Sequence, residues 1–124
     1  MNKSVIAVMM LSQGVVAATP AGIIDSYQAK AGVDFKAETG GNLWKQAGKQ
    51  GRVCDDCHNA DISRSGKHLR TGKEIAPLSP NANGKRFSDL KKVEKWFKRN
   101  CKWTWGRECT AEEKGHLMAW MLTQ

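Results

Sequence analysis

Two cysteines and a histidine lie close together near the middle of the chain, in the segment CDDCH at residues 54–58. This C-x-x-C-H spacing is the pattern of covalent c-type haem attachment. The thiols of Cys54 and Cys57 are close enough in sequence to form thioether bonds with the two vinyl groups on one edge of a porphyrin. The next residue, His58, then lies under the iron, and histidine is the usual proximal ligand of haem iron. The motif therefore predicts one covalently attached haem c.

Three other chemistries can use the Cys54–Cys57 pair. A zinc site needs about four ligands, and no second C-x-x-C or H-x-x-H pair follows in the sequence. A thioredoxin-like redox pair is expected near a βαβ pattern, which the sequence does not show. A lone structural disulfide stays open as an alternative. Haem attachment is favoured because the motif, the small size of the chain and an export signal agree.

The export signal occupies residues 1–18. Lys3 provides a positive charge, residues 5–11 form a short apolar segment, and residues 15–18 (VVAA) provide small side chains for cleavage near Ala18. We therefore expect a signal peptide, followed by a haem domain over residues 19–124 that acts in the periplasm. The alternative is a buried first helix. No apolar run reaches the roughly 18 residues of a membrane span, so none is expected after processing.

The composition is that of a small globular chain. Hydrophobic residues make up 40% and charged residues 26% of the 124 residues, which argues against disorder and fits one domain. A chain this small often needs a covalent cross-link or a cofactor to be stable. Cys101 and Cys109 can supply the cross-link, because paired thiols in an exported chain suggest a disulfide. The alternative is two free buried cysteines.

The spacing of apolar residues predicts an all-α domain of three or four helices. Helices are expected at residues 23–31 and 35–49, the second with Gly40 and Trp44 on one face. Residues 59–87 show no regular period and hold several glycines and prolines, so we expect a loop that packs on the haem. No strand is expected.

Two further helices are expected after this loop. Ser88 is the predicted N-cap of a helix over residues 89–99. Its apolar face consists of Leu90, Val93, Trp96 and Phe97. Thr110 and Glu113 form a capping box that starts the last helix. Its apolar face consists of Leu117, Trp120 and Met121.

The ligand on the far side of the iron decides what such a haem does. A strong Met or His ligand gives six-coordinate iron that transfers electrons, whereas a weak ligand leaves the iron open to O₂, NO or CO. After the signal peptide the chain has two methionines, Met118 and Met121. Both lie in the last predicted helix, where we expect them to fill the core. His116 is expected to be exposed there, and His68 lies in the long loop.

Four stretches of the sequence resemble the Sphaeroides haem protein family, a group of high-spin class I cytochromes c with an asparagine axial ligand. They are KHLRTGK at 67–73, PLSP at 77–80, VEKWFKRNC at 93–101 and GRECT at 106–110. The resemblance covers most of residues 40–122. It implies the class I monohaem fold, with helices wrapped around one covalent haem.

The resemblance also implies roles for individual residues. Asn100 is then the distal iron ligand, and a Cys101–Cys109 disulfide holds its segment in place. Without the resemblance, Asn100 is better interpreted as a helix C-cap. The class I pattern further implies that Gly40 and Trp120 meet where two helices cross. It also implies that a carbonyl of the Pro77-Leu78 segment orients the ligating histidine.

With these roles, the resemblance implies an electron-transfer cytochrome whose weak asparagine ligand leaves on reduction and opens the iron to O₂ or NO. An amide suits the harder ferric iron better than ferrous iron. One alternative is an ordinary six-coordinate electron carrier, with Met118 or His68 as ligand. Another is a small haem enzyme, a peroxidase or an NO or O₂ reductase, with His68 as acid–base group.

The net charge of +8 bears on the partner of the protein. Although the chain is basic, we do not expect an exported haem protein to bind nucleic acid. The resemblance implies a dihaem cytochrome c and a membrane cytochrome b as redox partners. Basic residues recur on one face of the helix at residues 89–99, which is usually a solvated face but can also attract an acidic partner. They are Lys91, Lys92, Lys95, Lys98 and Arg99.

Overall fold

The computed structural model describes residues 18–124. The predicted signal peptide therefore lies outside the described residues, apart from Ala18. The helices are α1 (Pro20–Ala31), α2 (Ala37–Lys45), α3 (Asp55–His58), α4 (Leu90–Trp105) and α5 (Ala111–Met121). Two short strands, β1 (Gly66–Lys67) and β2 (Glu74–Ile75), form an antiparallel pair. The prediction of a helical domain is confirmed, and no helix in this part of the chain is long and apolar enough to cross a membrane.

The prediction that residues 59–87 contain no strand is wrong. A tight turn closes the β1–β2 hairpin, with the His68 N–H donating to the Lys73 carbonyl at 2.8 Å. Gly72 has a φ of 69°, in the left-handed region that glycine tolerates best. Each strand has only two residues, which is too short to produce an alternating pattern in the sequence.

Helices α1 and α2 differ from the predicted segments at their ends. Helix α1 begins earlier than expected, because the Thr19 hydroxyl accepts the Gly22 N–H at 3.0 Å and Pro20 occupies the first helical turn. Helix α2 ends at Lys45 instead of continuing to residue 49. Shortly after, the chain passes so close to α4 that a Cβ on Gly48 would lie 1.9 Å from the Thr104 carbonyl oxygen.

Helix α4 is longer than predicted, and its cap is a different residue. Asp89, not Ser88, is the N-cap, and its carboxylate accepts the Lys92 N–H at 3.2 Å. The helix continues past Arg99 to Trp105, because the first residue that breaks it is Gly106, which has a φ of 75°. Asn100 is therefore an interior residue of α4, and its interpretation as a helix C-cap is wrong.

Helix α5 begins with the predicted capping box. The Thr110 hydroxyl accepts the Glu113 N–H, and the Glu113 carboxylate accepts the Thr110 N–H. The predicted meeting of Gly40 and Trp120 is confirmed where α2 crosses α5. A Cβ on Gly40 would lie 1.9 Å from the His116 carbonyl oxygen and 2.8 Å from the Trp120 Cβ. Only glycine lets the two helices approach this closely.

One polar cluster joins α1, α4 and α5. The Tyr27 hydroxyl donates to one Glu94 carboxylate oxygen at 2.6 Å, and the Lys114 ammonium donates to the other at 2.8 Å. Tyr27 is only 1% exposed. Burial raises the pKa of Glu94, but the hydrogen bonds from Lys114 and Tyr27 outweigh it and leave the pKa below its usual range.

The helix crossing predicts a large difference between two adjacent glycines of α2. Gly40→Ala should lower the free energy of unfolding by about 3 kcal/mol, because the new methyl group meets a main-chain carbonyl that cannot move alone. Gly41→Ala is the matched control, since its methyl group would meet the Trp120 side chain at 3.1 Å. Denaturant unfolding of both variants measures this, and equal losses would contradict the close crossing.

The Glu94 cluster predicts a loss of stability in acid. A carboxyl with a lowered pKa in the folded state stabilises above its unfolded pKa of about 4.3, and this contribution disappears as the pH falls through the folded value. The melting temperature of the wild type should therefore fall below about pH 5 more steeply than that of Glu94→Gln. The exposed Glu74→Gln variant serves as control and should follow the wild type. If the melting temperatures of wild type and Glu94→Gln fall equally steeply with pH, the Glu94 carboxylate does not stabilise the fold in this way.

Candidate haem-binding site

An open cleft lies between α3 and one face of α4. It encloses about 1050 Å³ including its mouth, and its lining is mostly apolar. Cys54, Cys57 and His58 line it from the motif, and Asn100 lines it from α4. The fold therefore brings the residue implied by the family resemblance into the same cleft as the attachment motif, although the two are far apart in sequence.

One short helical turn presents the attachment motif to the cleft. The His58 N–H donates to the Cys54 carbonyl at 3.2 Å, which closes the turn of α3. The Asp56 carboxylate accepts the Val53 N–H at 3.0 Å and so fixes the start of the turn. A Cβ on Gly66 would lie 2.0 Å from the Cys57 carbonyl oxygen, so the β-hairpin packs directly against the motif.

His58 is held as a neutral imidazole. Burial, followed by the positive charge of Arg86, lowers the pKa of His58 to about 4. Neutral imidazole is the form that binds a metal. Its Nδ1 atom is buried without a hydrogen-bond partner, and so is Nε1 of Trp44, whose ring lies 5.6 Å from the imidazole. Unpaired buried nitrogens cost free energy, so these two atoms in the cleft wall fit a site built to receive a further polar group.

The expected role of the Pro77-Leu78 segment in orienting His58 is not found. The Pro77 carbonyl accepts hydrogen bonds from Arg86 Nε at 3.0 Å and from Asn83 Nδ2 at 3.3 Å. His58 Nδ1 has no partner. Arg86 therefore donates to the carbonyl that, in the class I pattern, would accept a hydrogen bond from the ligating histidine.

The two motif cysteines do not have the properties of a redox pair. Both thiols are free, so they form no structural disulfide here. Burial, and after it the negative charge of Asp55, raises the pKa of Cys54 to about 12. A redox-active C-x-x-C motif instead has a lowered thiol pKa. Zinc is also disfavoured, because no group of three or more His, Cys, Asp or Glu side chains in residues 18–124 is placed to hold a metal ion.

Asn100 lies on the face of α4 that forms the second wall of the cleft. The α4 residues in this wall recur at intervals of three and four, as expected for one helix face. They include Val93, Trp96, Phe97, Asn100 and Cys101. Trp96, predicted on the apolar face of this helix, is 47% exposed and lines the open cleft.

A disulfide lies directly beside Asn100. Cys101 in α4 is bonded to Cys109, with their Cα atoms 5.7 Å apart. Cys109 immediately precedes Thr110, the N-cap of α5. The bridge therefore joins the cleft wall at Asn100 to the start of α5, and the alternative of two free cysteines is wrong.

The other candidate iron ligands are occupied elsewhere. His116, predicted to be exposed, is only 7% exposed, and its Nδ1 atom accepts the Lys36 N–H at 2.9 Å. It is buried because Phe35 packs against the bare Gly115 backbone. His68 Nδ1 accepts two backbone N–H groups of its own hairpin turn. Neither histidine lines the cleft.

The methionines are core residues, as predicted. Met118 is completely buried and does not line the cleft. Met121 is 4% exposed and contributes to the cleft wall.

Several cleft residues were not predicted as part of the site, among them Trp44, Arg86 and Phe87. Trp44 was assigned only to a helix face. Arg86 and Phe87 lie in the long loop, where no motif marks them. Phe87 is buried and has a φ of 56°, in the left-handed region that bulky residues rarely adopt. The sequence carries no signal for this conformation, which the surrounding loop imposes.

Comparison with known proteins identifies relatives that cover most of the chain. A family described as domain of unknown function DUF1924 matches residues 30–121. The cytochrome c-type protein SHP of Cereibacter sphaeroides is 46% identical over 110 residues, which cover 86% of this chain and 84% of that protein. Cytochrome c'' of Methylophilus methylotrophus is 37% identical over 98 residues, covering 79% of this chain and 67% of that protein.

Solved structures of the same two proteins share the fold. Oxidised SHP, described as an oxygen-binding cytochrome c, superposes with a TM-score of 0.82 at 44% identity, covering 88% of this chain and 100% of the chain in that structure. A solution structure of cytochrome c'', described in terms of haem-ligand detachment, gives a TM-score of 0.73 at 30% identity and covers 85% of this chain and 93% of the other.

The disulfide predicts a measurable loss of stability when both of its cysteines are replaced. The Cys101→Ser/Cys109→Ser variant should lose about 2–3 kcal/mol of unfolding free energy, the chain-entropy value for a short loop. Urea unfolding with and without a thiol reductant measures this loss. The wild type should shift to the stability of the variant when reductant is added, whereas the variant should not respond. A variant as stable as the oxidised wild type would show that the bridge contributes nothing.

Proposed function

Because this chain belongs to the Sphaeroides haem protein family of monohaem class I cytochromes c, we propose that it is an exported electron-transfer protein whose Asn100 leaves the iron on reduction, so that O₂ or NO can bind. The haem c is covalently attached in this family. The observation that carries the proposal is the position of Asn100 in the wall of the cleft that the C-x-x-C-H motif also lines.

The proposed attachment uses the residues of the motif. Cys54 and Cys57 hold the haem by thioether bonds, and His58 binds the iron through a neutral imidazole. The bound haem supplies an iron that changes between the ferric and ferrous states and takes a diatomic molecule at a free coordination position. The mostly apolar walls keep bulk water away from it.

Asn100 provides the weak ligand in this proposal. Its carboxamide is neutral and hard, so it binds ferric iron in preference to ferrous iron. The disulfide at Cys101 keeps the displaced side chain near the iron, where its N–H₂ group can donate a hydrogen bond to an incoming ligand. Two relatives support this step, since SHP is described as oxygen-binding and cytochrome c'' in terms of haem-ligand detachment.

The residues expected to carry the competing functions do not line the cleft. An ordinary six-coordinate carrier was expected to use Met118 or His68, and neither of them lines the cleft. A peroxidase or reductase was expected to use His68 for proton transfer, but its Nδ1 atom is held in the β-hairpin turn. Asn100, by contrast, lines the cleft together with the motif, which supports it as the distal ligand.

The location and partners follow from the same family membership. We propose that residues 1–18 direct export to the periplasm, and that a dihaem cytochrome c and a membrane cytochrome b exchange electrons with this protein. The basic face of α4 supports an acidic partner, because Lys91, Lys95 and Arg99 are exposed on it. Complementary charge of this kind mainly raises the association rate.

Asn100→Ala tests the proposed ligand. The ferric absorption spectrum should change, and the ferric protein should bind added imidazole about tenfold more tightly or better, because imidazole no longer competes with Asn100. Binding of CO to the reduced protein should change much less, since Asn100 has already left. Absorption titrations of both oxidation states measure this.

Asn42→Ala is the matched control, because Asn42 is also an exposed helical asparagine but does not line the cleft. It should leave both titrations unchanged. If Asn100→Ala gives the same ferric spectrum and imidazole affinity as the wild type, Asn100 is not the ligand. A reduced wild type that ignores CO would instead indicate a strong sixth ligand.

A further inference from the structure

We infer that Arg86 raises the reduction potential of the haem, by holding a positive charge at a fixed position in the cleft that His58 also lines. This inference rests on the proposed function, because it assumes that His58 binds the iron. It adds to that function a control over how readily Asn100 is released.

Two backbone carbonyls hold the Arg86 guanidinium in place. Its Nε atom donates to the Pro77 carbonyl at 3.0 Å, and Nη2 donates to the Ala76 carbonyl at 2.8 Å. Asn83 donates to the same Pro77 oxygen, so the anchoring loop is itself tied down. The next residue, Phe87, is buried and has a backbone conformation that permits few alternatives. The charge therefore has a fixed position rather than moving through solvent.

No acidic side chain in the described part of the molecule pairs with Arg86. Arg107 and Arg64, by contrast, form ion pairs with Glu113 and Asp61. Asp89 also lines the cleft, but its carboxylate accepts the Lys92 N–H at the start of α4. Within residues 18–124, the acceptors of Arg86 are two neutral carbonyls, which orient the guanidinium but carry no opposing charge.

Arg86 lies in the lining of the same cleft as His58. Arg86 is partly buried, so water screens its charge less than that of a surface arginine. A fixed cation in the haem cleft disfavours the additional positive charge of ferric iron relative to ferrous iron.

The consequence is a bias toward the ferrous state. Electrostatic tuning by nearby charge is one of the ways in which a protein sets the potential of a haem. Since Asn100 is proposed to leave when the iron is reduced, a higher potential makes the ligand-binding state easier to reach. Arg86 thus couples the loop before α4 to the proposed opening of the site.

The test compares variants of Arg86 by redox titration of the haem-loaded protein. Arg86→Gln should move the midpoint potential to a lower value, so that the ferrous-to-ferric ratio at the wild-type midpoint falls about tenfold, as expected for a unit charge in a medium of effective dielectric constant about 20. Arg86→Lys keeps the charge and should retain most of the wild-type potential. Arg64→Gln removes the same charge from an exposed side chain and should change the ratio much less.

Two outcomes would overturn the inference. The first is a shift in Arg86→Gln no larger than that in Arg64→Gln. The second is an Arg86→Lys shift equal to that of Arg86→Gln, which would show that loss of the carbonyl contacts, not loss of charge, moves the potential. If Arg86→Gln does not load haem, Arg86→Met and Arg86→Lys decide in the same way. Failure of the proposed function appears separately, in the ferric spectrum of Asn100→Ala.

Discussion

The rest of the structure depends on one constraint, which is that a small chain leaves a large apolar cleft open within its own core. The wall of that cleft includes residues such as Trp44, Phe97 and Leu117, which a protein of this size would otherwise pack against one another. Apolar surface around such a cleft is stabilised only when something fills it. A covalent haem meets this requirement, and the C-x-x-C-H turn keeps it at one place in the cleft.

The helices around the cleft are joined by contacts that compensate for the missing core. Helices α2 and α5 approach as closely as their backbones permit at Gly40. The Glu94 cluster joins three helices, and the disulfide fixes the end of the cleft at Asn100. These features lie around the cleft rather than in it, so they stabilise its shape while leaving its walls free to contact the haem.

Burial in the cleft keeps two groups of the motif uncharged. The His58 imidazole stays neutral and the Cys54 thiol stays protonated, because both are buried. The Cys54 thiol therefore lacks the lowered pKa of a redox-active cysteine. Arg86 also lines the cleft, and no sequence motif marks it. Its carbonyl contacts replace the interaction that the class I pattern assigns to the ligating histidine.

Much of the fold could be predicted from local sequence. The capping box at Thr110 and the apolar positions of α5 indicated a helix that the structure contains, because caps act over only three residues. The ends of α2 and α4 were predicted less accurately than the start of α5. Helix α2 stops where the chain passes close to α4, which depends on a distant segment. Helix α4 continues to Gly106, because packing against the cleft and the Cys109 bridge outweighs the weak local preference for ending at Asn100.

The sequence alone determined the cofactor, the all-α class and the family. Those properties depend on residues adjacent in the chain, as in the CDDCH motif, or on motifs shared with relatives. The tertiary structure decided which distant residues meet. It brings Asn100 into the cleft, buries His116, holds His68 in its turn and places Arg86 in the same cleft as His58. These outcomes depend on helix crossings and loop closure, whose energies come from contacts between segments far apart in the chain, and no local pattern encodes them.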